Sequence, residues 1–153
     1  MKELKYEFYI GGTPEQVWAC LVSPEYVQQI YYGSIIRSSF KEGELLEYVG
    51  PGPEGEEIVH VYGTLLEYTP LKHLCFTHKV GPAYLKEGQE NYESRISWRL
   101  EPVGGCTKLS LIHDQWHPDD PSYEPSDSAW WHVLSNTKTL IETGHTLDFG
   151  SNK

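Results

Sequence analysis

The side chains able to move a proton or hold a metal near neutral pH are few in this chain: seven histidines and three cysteines among 153 residues. Two of the histidines stand out by their company. A period of two puts Leu74, Phe76 and His78 on one strand face, and Leu109, Leu111 and His113 on the inner face of another. Two imidazoles sharing a low-dielectric pocket would form an acid–base or ligand-orienting pair. The competing reading is that each sits near a strand end and meets water or a backbone carbonyl, as buried polar groups ordinarily do. Tyr31, Tyr32, Tyr62, Tyr84 and Tyr92 either lend hydroxyls to the same space or serve as amphipathic core and rim residues.

Other chemistries find less support. His113-Asp114-Gln115-Trp116-His117 separates two histidines by three residues, but coordination from that spacing relies on a helix. This segment reads as a strand ending at Pro118, where the two rings diverge. No His-Glu-x-x-His occurs, and neither a metal nor a cofactor is expected. No G-x-S-x-G is present, and Gly50-Pro51-Gly52-Pro53-Glu54-Gly55 lacks the Lys and Ser/Thr of a phosphate loop, so it reads as a hairpin turn. No catalytic residue is assigned. Cys20, Cys75 and Cys106 are odd in number and form no C-x-x-C pair, which argues against a disulfide framework or zinc site. Apolar neighbours make buried, inert thiols the expectation.

The elements that must position these groups can be read in order. Tyr6–Ile10 alternates as a strand and stops at Gly11-Gly12. Thr13-Pro14-Glu15-Gln16 then supplies an N-cap, a proline at the first helical position and a capping-box glutamine. Ser23-Pro24-Glu25 repeats the signal, starting a second short helix that runs to about Gln29–Tyr31. Strands are expected at 34–40, 45–49, 58–68, 74–80, 92–100 and 107–116, joined by short Gly- and Pro-rich turns that imply an antiparallel meander. A polar loop over 118–125 precedes a long helix, capped within Ser126-Asp127-Ser128 and running to about Leu147. Its apolar stripe is Trp130, Val133, Leu134, Leu140, Ile141 and Leu147, with Thr137 and Gly144. The expected fold is one α+β domain: two short helices in front, and one long helix packed on a curved antiparallel sheet of six to seven strands. The stretch Gly81–Asn91 is long for a hairpin and flanks the expected mouth, as a gating lid or as a solvated loop.

The formal charge of −10, from 22 acidic and 12 basic residues, opposes binding to nucleic acid or to an anionic membrane surface. No stretch is apolar enough to span a bilayer, and the start of the chain does not read as a secretory signal, so a cytoplasmic protein is the expectation.

Three segments carry a family resemblance. Thr13-Pro14-Glu15-Gln16-Val17-Trp18-Ala19-Cys20-Leu21 with Ser23-Pro24-Glu25 is the first. Gly63-Thr64-Leu65-Leu66-Glu67-Tyr68-Thr69-Pro70 with Leu74-Cys75-Phe76-Thr77 is the second, and Trp131 to Gly144 (WHVLSNTKTLIETG) is the third. Together they resemble the START-like, or helix-grip, superfamily, in particular the branch similar to the C-terminal domain of the activator of Hsp90 ATPase. The resemblance implies a cavity between the long helix and the inner sheet face, holding a small hydrophobic or amphipathic molecule. The residues expected to line it are Trp18, Tyr32, Leu65, Phe76, His78, Trp98, Leu109, Leu111, His113, Leu134 and Ile141. Where the family often has a tryptophan pair this chain has Ile30-Tyr31-Tyr32, and where it often has tryptophan after Thr77 it has His78, so both departures bring polar atoms to the cavity. Two other readings stand beside a binding protein: an enzyme resembling the superfamily's polyketide cyclases, with His78 or His113 as acid or base, and a co-chaperone-like interaction module. Of Trp130 and Trp131, one ring is expected at the cavity. The other turns about 100° away, where a homodimer contact would use it.

Overall fold

The computed structural model describes residues 2–150. Its strands are β1 (Leu4–Ile10), β2 (Ile35–Ser38), β3 (Leu45–Pro51), β4 (Glu57–Thr69), β5 (His73–Val80), β6 (Ser94–Val103) and β7 (Cys106–Asp114). Helices α1 (Pro14–Val22) and α2 (Pro24–Ile30) follow β1, and α3 (Tyr123–Thr143) ends the order. The strands form one antiparallel sheet in the spatial order β1-β7-β6-β5-β4-β3-β2. Consecutive strands pair from β2 to β7, and β1 closes the far edge against β7.

Local chemistry accounts for most boundaries. The Thr13 hydroxyl accepts from Gln16 N at 3.2 Å while Gln16 Oε1 accepts from Thr13 N at 2.9 Å, the reciprocal capping box expected from the sequence. The long helix departs from expectation at both ends. It begins at Tyr123, so Pro125 lies inside its first turn, where a missing N–H removes a group that has no intrahelical partner anyway. It stops at Thr143 because Gly144 takes φ +91°, the left-handed cap that a glycine adopts without strain, and Leu147 falls beyond the helix. Limits of two strands also shift. β6 runs from Ser94 to Val103 instead of Tyr92 to Leu100, and β7 ends at Asp114 because Gln115 adopts φ +58°. Gly50 and Pro51 belong to β3; the hairpin turns at 52–56, where Gly52 N donates to Glu56 O at 2.6 Å.

The inner sheet face and α3 share one core. Leu46, Leu65, Leu74, Ile96, Leu109 and Leu111 have no solvent exposure, and Val133, Leu134 and Thr137 of α3 are sealed in the same way. At Gly63 the sheet comes too close for a side chain: a Cβ there would lie 1.8 Å from Thr77 O. Cys20 and Cys75 are buried as expected, but Cys106 is exposed, because it opens β7 directly after the Gly104-Gly105 turn. Among the described residues no helix is long and apolar enough to cross a membrane.

Candidate functional site

The packed core leaves one end of the grip open. Between the first three turns of α3 and the ends of β4 and β5 lies a cavity of about 410 Å³ that opens to the surface. Pro125, Ser126, Ala129, Trp130 and Val133 of α3 form one wall; His60, Val61, His78 and Val80 of the sheet form the opposite one. Tyr31, Tyr32 and Tyr84 stand at its rim, Tyr84 carried by a short 3-10 turn at Pro82–Tyr84. The lining is mostly apolar, and among the described residues no Lys, Arg, Asp or Glu contributes to it.

Strand register gathers the polar groups at this end. His78 pairs directly with Ser94 across β5 and β6, and His113 pairs with Ile96, the next inward residue after Ser94. The three therefore sit side by side on the inner face. His113 is fully buried, and its ring lies 4.9 Å from that of His78 and 4.0 Å from that of Trp116. Trp130 Nε1 donates to His113 Nδ1 at 3.0 Å, His113 Nε2 lies 2.7 Å from Ser94 Oγ, and Ser94 Oγ lies 3.5 Å from His78 Nδ1. Helix and sheet are thus tied by a buried polar chain that ends at the cavity wall.

Burial pushes the His78 imidazole down to about 4, against a partial opposing pull from Asp120. His113 is driven further down, chiefly by burial and then by His78 beside it. Both rings are neutral at physiological pH. Such a pair is a poor general base near neutrality, since a proton added to either ring would sit unsolvated next to the other. As fixed donors and acceptors the same rings are well suited to orient a bound molecule.

Among the side chains expected to line a cavity, Tyr32 and His78 reach this one. Leu65, Phe76, Leu109, Leu111 and Leu134 are packed into the filled core, and Trp18 is packed against Tyr68 at 5.6 Å between ring centres. Trp98 borders a void of only about 10 Å³, and Ile141 borders a surface cleft between α1 and α3. His113 stands one residue behind the wall and acts through Ser94 and Trp130. The physical reason is that large aliphatic side chains close the middle of the grip, so this space remains at its end, where smaller residues such as Ser126 and Ala129 leave it unfilled. Ser94 was overlooked in sequence, although period two places it on the same face as Ile96 and Trp98. Ser34 and His60, hydrogen-bonded to each other through Oγ and Nδ1, were also unforeseen.

Of the two adjacent tryptophans, Trp130 is buried at the cavity, whereas Trp131 is 56% exposed with its ring edge on Tyr6. His117 stacks on Tyr92 with ring centres 4.1 Å apart, away from His113, and no metal-holding group of three or more ligands occurs among the described residues. A second polar cluster lies on the outer sheet face, with His73 Nε2 2.7 Å from Ser97 Oγ and His73 Nδ1 2.6 Å from Glu67 Oε2. It resembles a nucleophile, base and orienter. The Nδ1 approach is not an aligned hydrogen bond, however, and Ser97 is paired on both sides, with Cys75 and Ile112.

A curved antiparallel sheet gripping one long helix, with two short helices after the first strand, is the helix-grip architecture. The chain belongs to the family described as Activator of Hsp90 ATPase homolog 1-like protein, whose model matches residues 12–142. Solved structures agree in fold. ChR145 from Cytophaga hutchinsonii is 23% identical with a TM-score of 0.72, the match covering 94% of this chain and 96% of that one. The Aha1 dimer from Colwellia psychrerythraea is 19% identical with a TM-score of 0.69, covering 94% and 98%. DynU16, a protein in the dynemicin biosynthetic locus, is 13% identical with a TM-score of 0.72, covering 95% of this chain and 49% of that one. No match to a curated protein was found.

Proposed function

We propose that this chain binds a small, predominantly apolar molecule in the cavity beneath the first turns of α3. The observation that carries this reading is the cavity itself: about 410 Å³, mostly apolar, open to the surface, with the neutral His78 imidazole in its wall. That volume lies within the range typical of small-molecule sites, where apolar walls supply affinity and a few polar groups set orientation. Membership of the family supports a ligand-holding grip without naming the ligand. The depressed imidazoles favour binding over acid–base catalysis at neutral pH.

Native mass spectrometry of the freshly purified protein, followed by organic extraction, tests this directly. A stoichiometric small molecule lost on denaturation is the expected result. A bare mass, together with no thermal shift across a panel of apolar and amphipathic compounds, would remove the reading and leave a protein-interaction role as the better account.

A further inference from the structure

A hydrogen bond has a fixed direction wherever one partner can only donate, and the buried chain behind the cavity begins at such a partner. The indole N–H of Trp130 has no acceptor capacity, so His113 Nδ1 must offer its lone pair at 3.0 Å. The neutral His113 ring then carries its proton on Nε2, aimed at Ser94 Oγ 2.7 Å away. Ser94 Oγ accepts there, and its own hydrogen is left to donate to His78 Nδ1, at 3.5 Å the longest link of the chain. The reverse arrangement would let the His78 ring donate to its own backbone carbonyl, but it would make Ser94 Oγ accept twice and strand a buried hydroxyl hydrogen, which is costly. With Nδ1 accepting, the neutral His78 ring bears its proton on Nε2. That nitrogen makes no hydrogen bond to a described residue and opens on the cavity.

Several other polar groups of the wall are already engaged. His60 is held by Ser34 at Nδ1 and faces Pro51 O from Nε2 at 3.4 Å. The Tyr32 hydroxyl lies 3.1 Å from His132 Nδ1 and 3.4 Å from Ala129 O. The hydroxyls of Tyr31, Tyr84 and Ser126, hydrogen-bonded to no described residue, add further groups able to donate. A carboxylate would enter without a cationic partner, beside Asp120 and in a chain of net charge −10. An ammonium would meet no carboxylate in the wall and would oppose donor to donor at His78. We infer that the cavity selects ligands carrying an uncharged hydrogen-bond acceptor, a carbonyl-type oxygen, seated on the Nε2–H of His78. This inference rests on the reading of the cavity as a ligand site and specifies the chemistry of its occupant.

Two measurements test it. Long-range nitrogen–proton NMR of the imidazoles reads the tautomers in the unmodified protein; Nε2–H with a bare Nδ1 is expected for both His113 and His78, and Nδ1–H on His78 would overturn the inference. Calorimetric titration with four near-isosteric probes reads the selectivity. Acetylnaphthalene should bind about three- to tenfold tighter than ethylnaphthalene, the effect of one net hydrogen bond. Naphthoate and naphthylmethylammonium should both bind more weakly than the ketone. In His78→Leu the ketone preference should vanish while ethylnaphthalene still binds. Equal binding of ketone and hydrocarbon to the unmodified protein would overturn the inference and leave the cavity reading intact. Failure of all four probes would instead overturn the cavity reading and, with it, this inference. Should His78→Leu not fold, the tautomers and the four-probe series on the unmodified protein decide alone.

Discussion

The two ends of the helix grip are built from different materials. Around Leu65, Phe76, Leu109 and Leu111 the sheet meets α3 through fully buried aliphatic and aromatic side chains. One helical span away, the same two elements are joined through Trp130, His113, Ser94 and His78, and a cavity of about 410 Å³ remains beside them. Apolar packing is non-directional and closes whatever space it can, whereas hydrogen-bonded groups hold fixed geometry and tolerate a neighbouring void. The closed end is therefore the scaffold, and the polar end keeps space open without losing register.

Substitutions should separate the two ends, and the largest effect belongs to the closed one. Phe76→Ala, at a side chain 1% exposed, should destabilise by about 3–5 kcal/mol in denaturant unfolding, with any bound ligand lost only through unfolding. The polar end should reveal itself by acid. Because the folded pKa of His78 is depressed to about 4, the unfolded chain binds a proton there that the folded chain excludes. Stability should fall as pH drops from about 6.5 and level off for this group near 4, a loss of about 3 kcal/mol. Asp120 and His113 are the titratable groups facing it, and His113 adds a loss of the same sign. Denaturation across that range should show a shallower slope in His78→Gln; an unchanged slope would mean that His78 is solvated.

Smaller effects sharpen the comparison. Trp130→Phe keeps an aromatic side chain but removes, with the indole, the one donor to His113 Nδ1 among the described residues, so a loss of about 1–3 kcal/mol is expected in thermal or chemical unfolding. The smallest change in stability should come from Ala129→Phe, which projects a ring into open space. It should shift stability by about 1 kcal/mol or less while abolishing binding of acetylnaphthalene in calorimetry. Retained affinity in that variant would place the ligand elsewhere.

The fold was legible because local chemistry and tertiary demand agree. Thr13 and Gln16 can form a capping box only at a helix start, and the alternation of Ile96, Trp98 and Leu100 marks one buried face whatever the register. Boundaries failed where two signals competed: Ser126-Asp127-Ser128 looks like a cap, yet Pro125 is tolerated a turn earlier, and Gly144 ends the helix before Leu147. The inward direction of His78 and His113 was legible from their apolar alternation. Which residues border empty space was not, because a cavity is defined by what fails to fill it. The large residues that advertise a core, Leu65 and Phe76 among them, fill it. Small ones such as Ser126 and Ala129 carry no signal until helix and sheet are packed together.

Methyl-resolved NMR during titration with acetylnaphthalene tests most directly whether the open end is the binding site. The expected result is saturable shifts in the methyls of Val61, Val80 and Val133, which line the cavity, with those of Leu65, Leu109 and Leu111 in the closed core unmoved. Shifts centred on the closed core, or no saturable shift at any of the six, would contradict the division of the grip into scaffold and site.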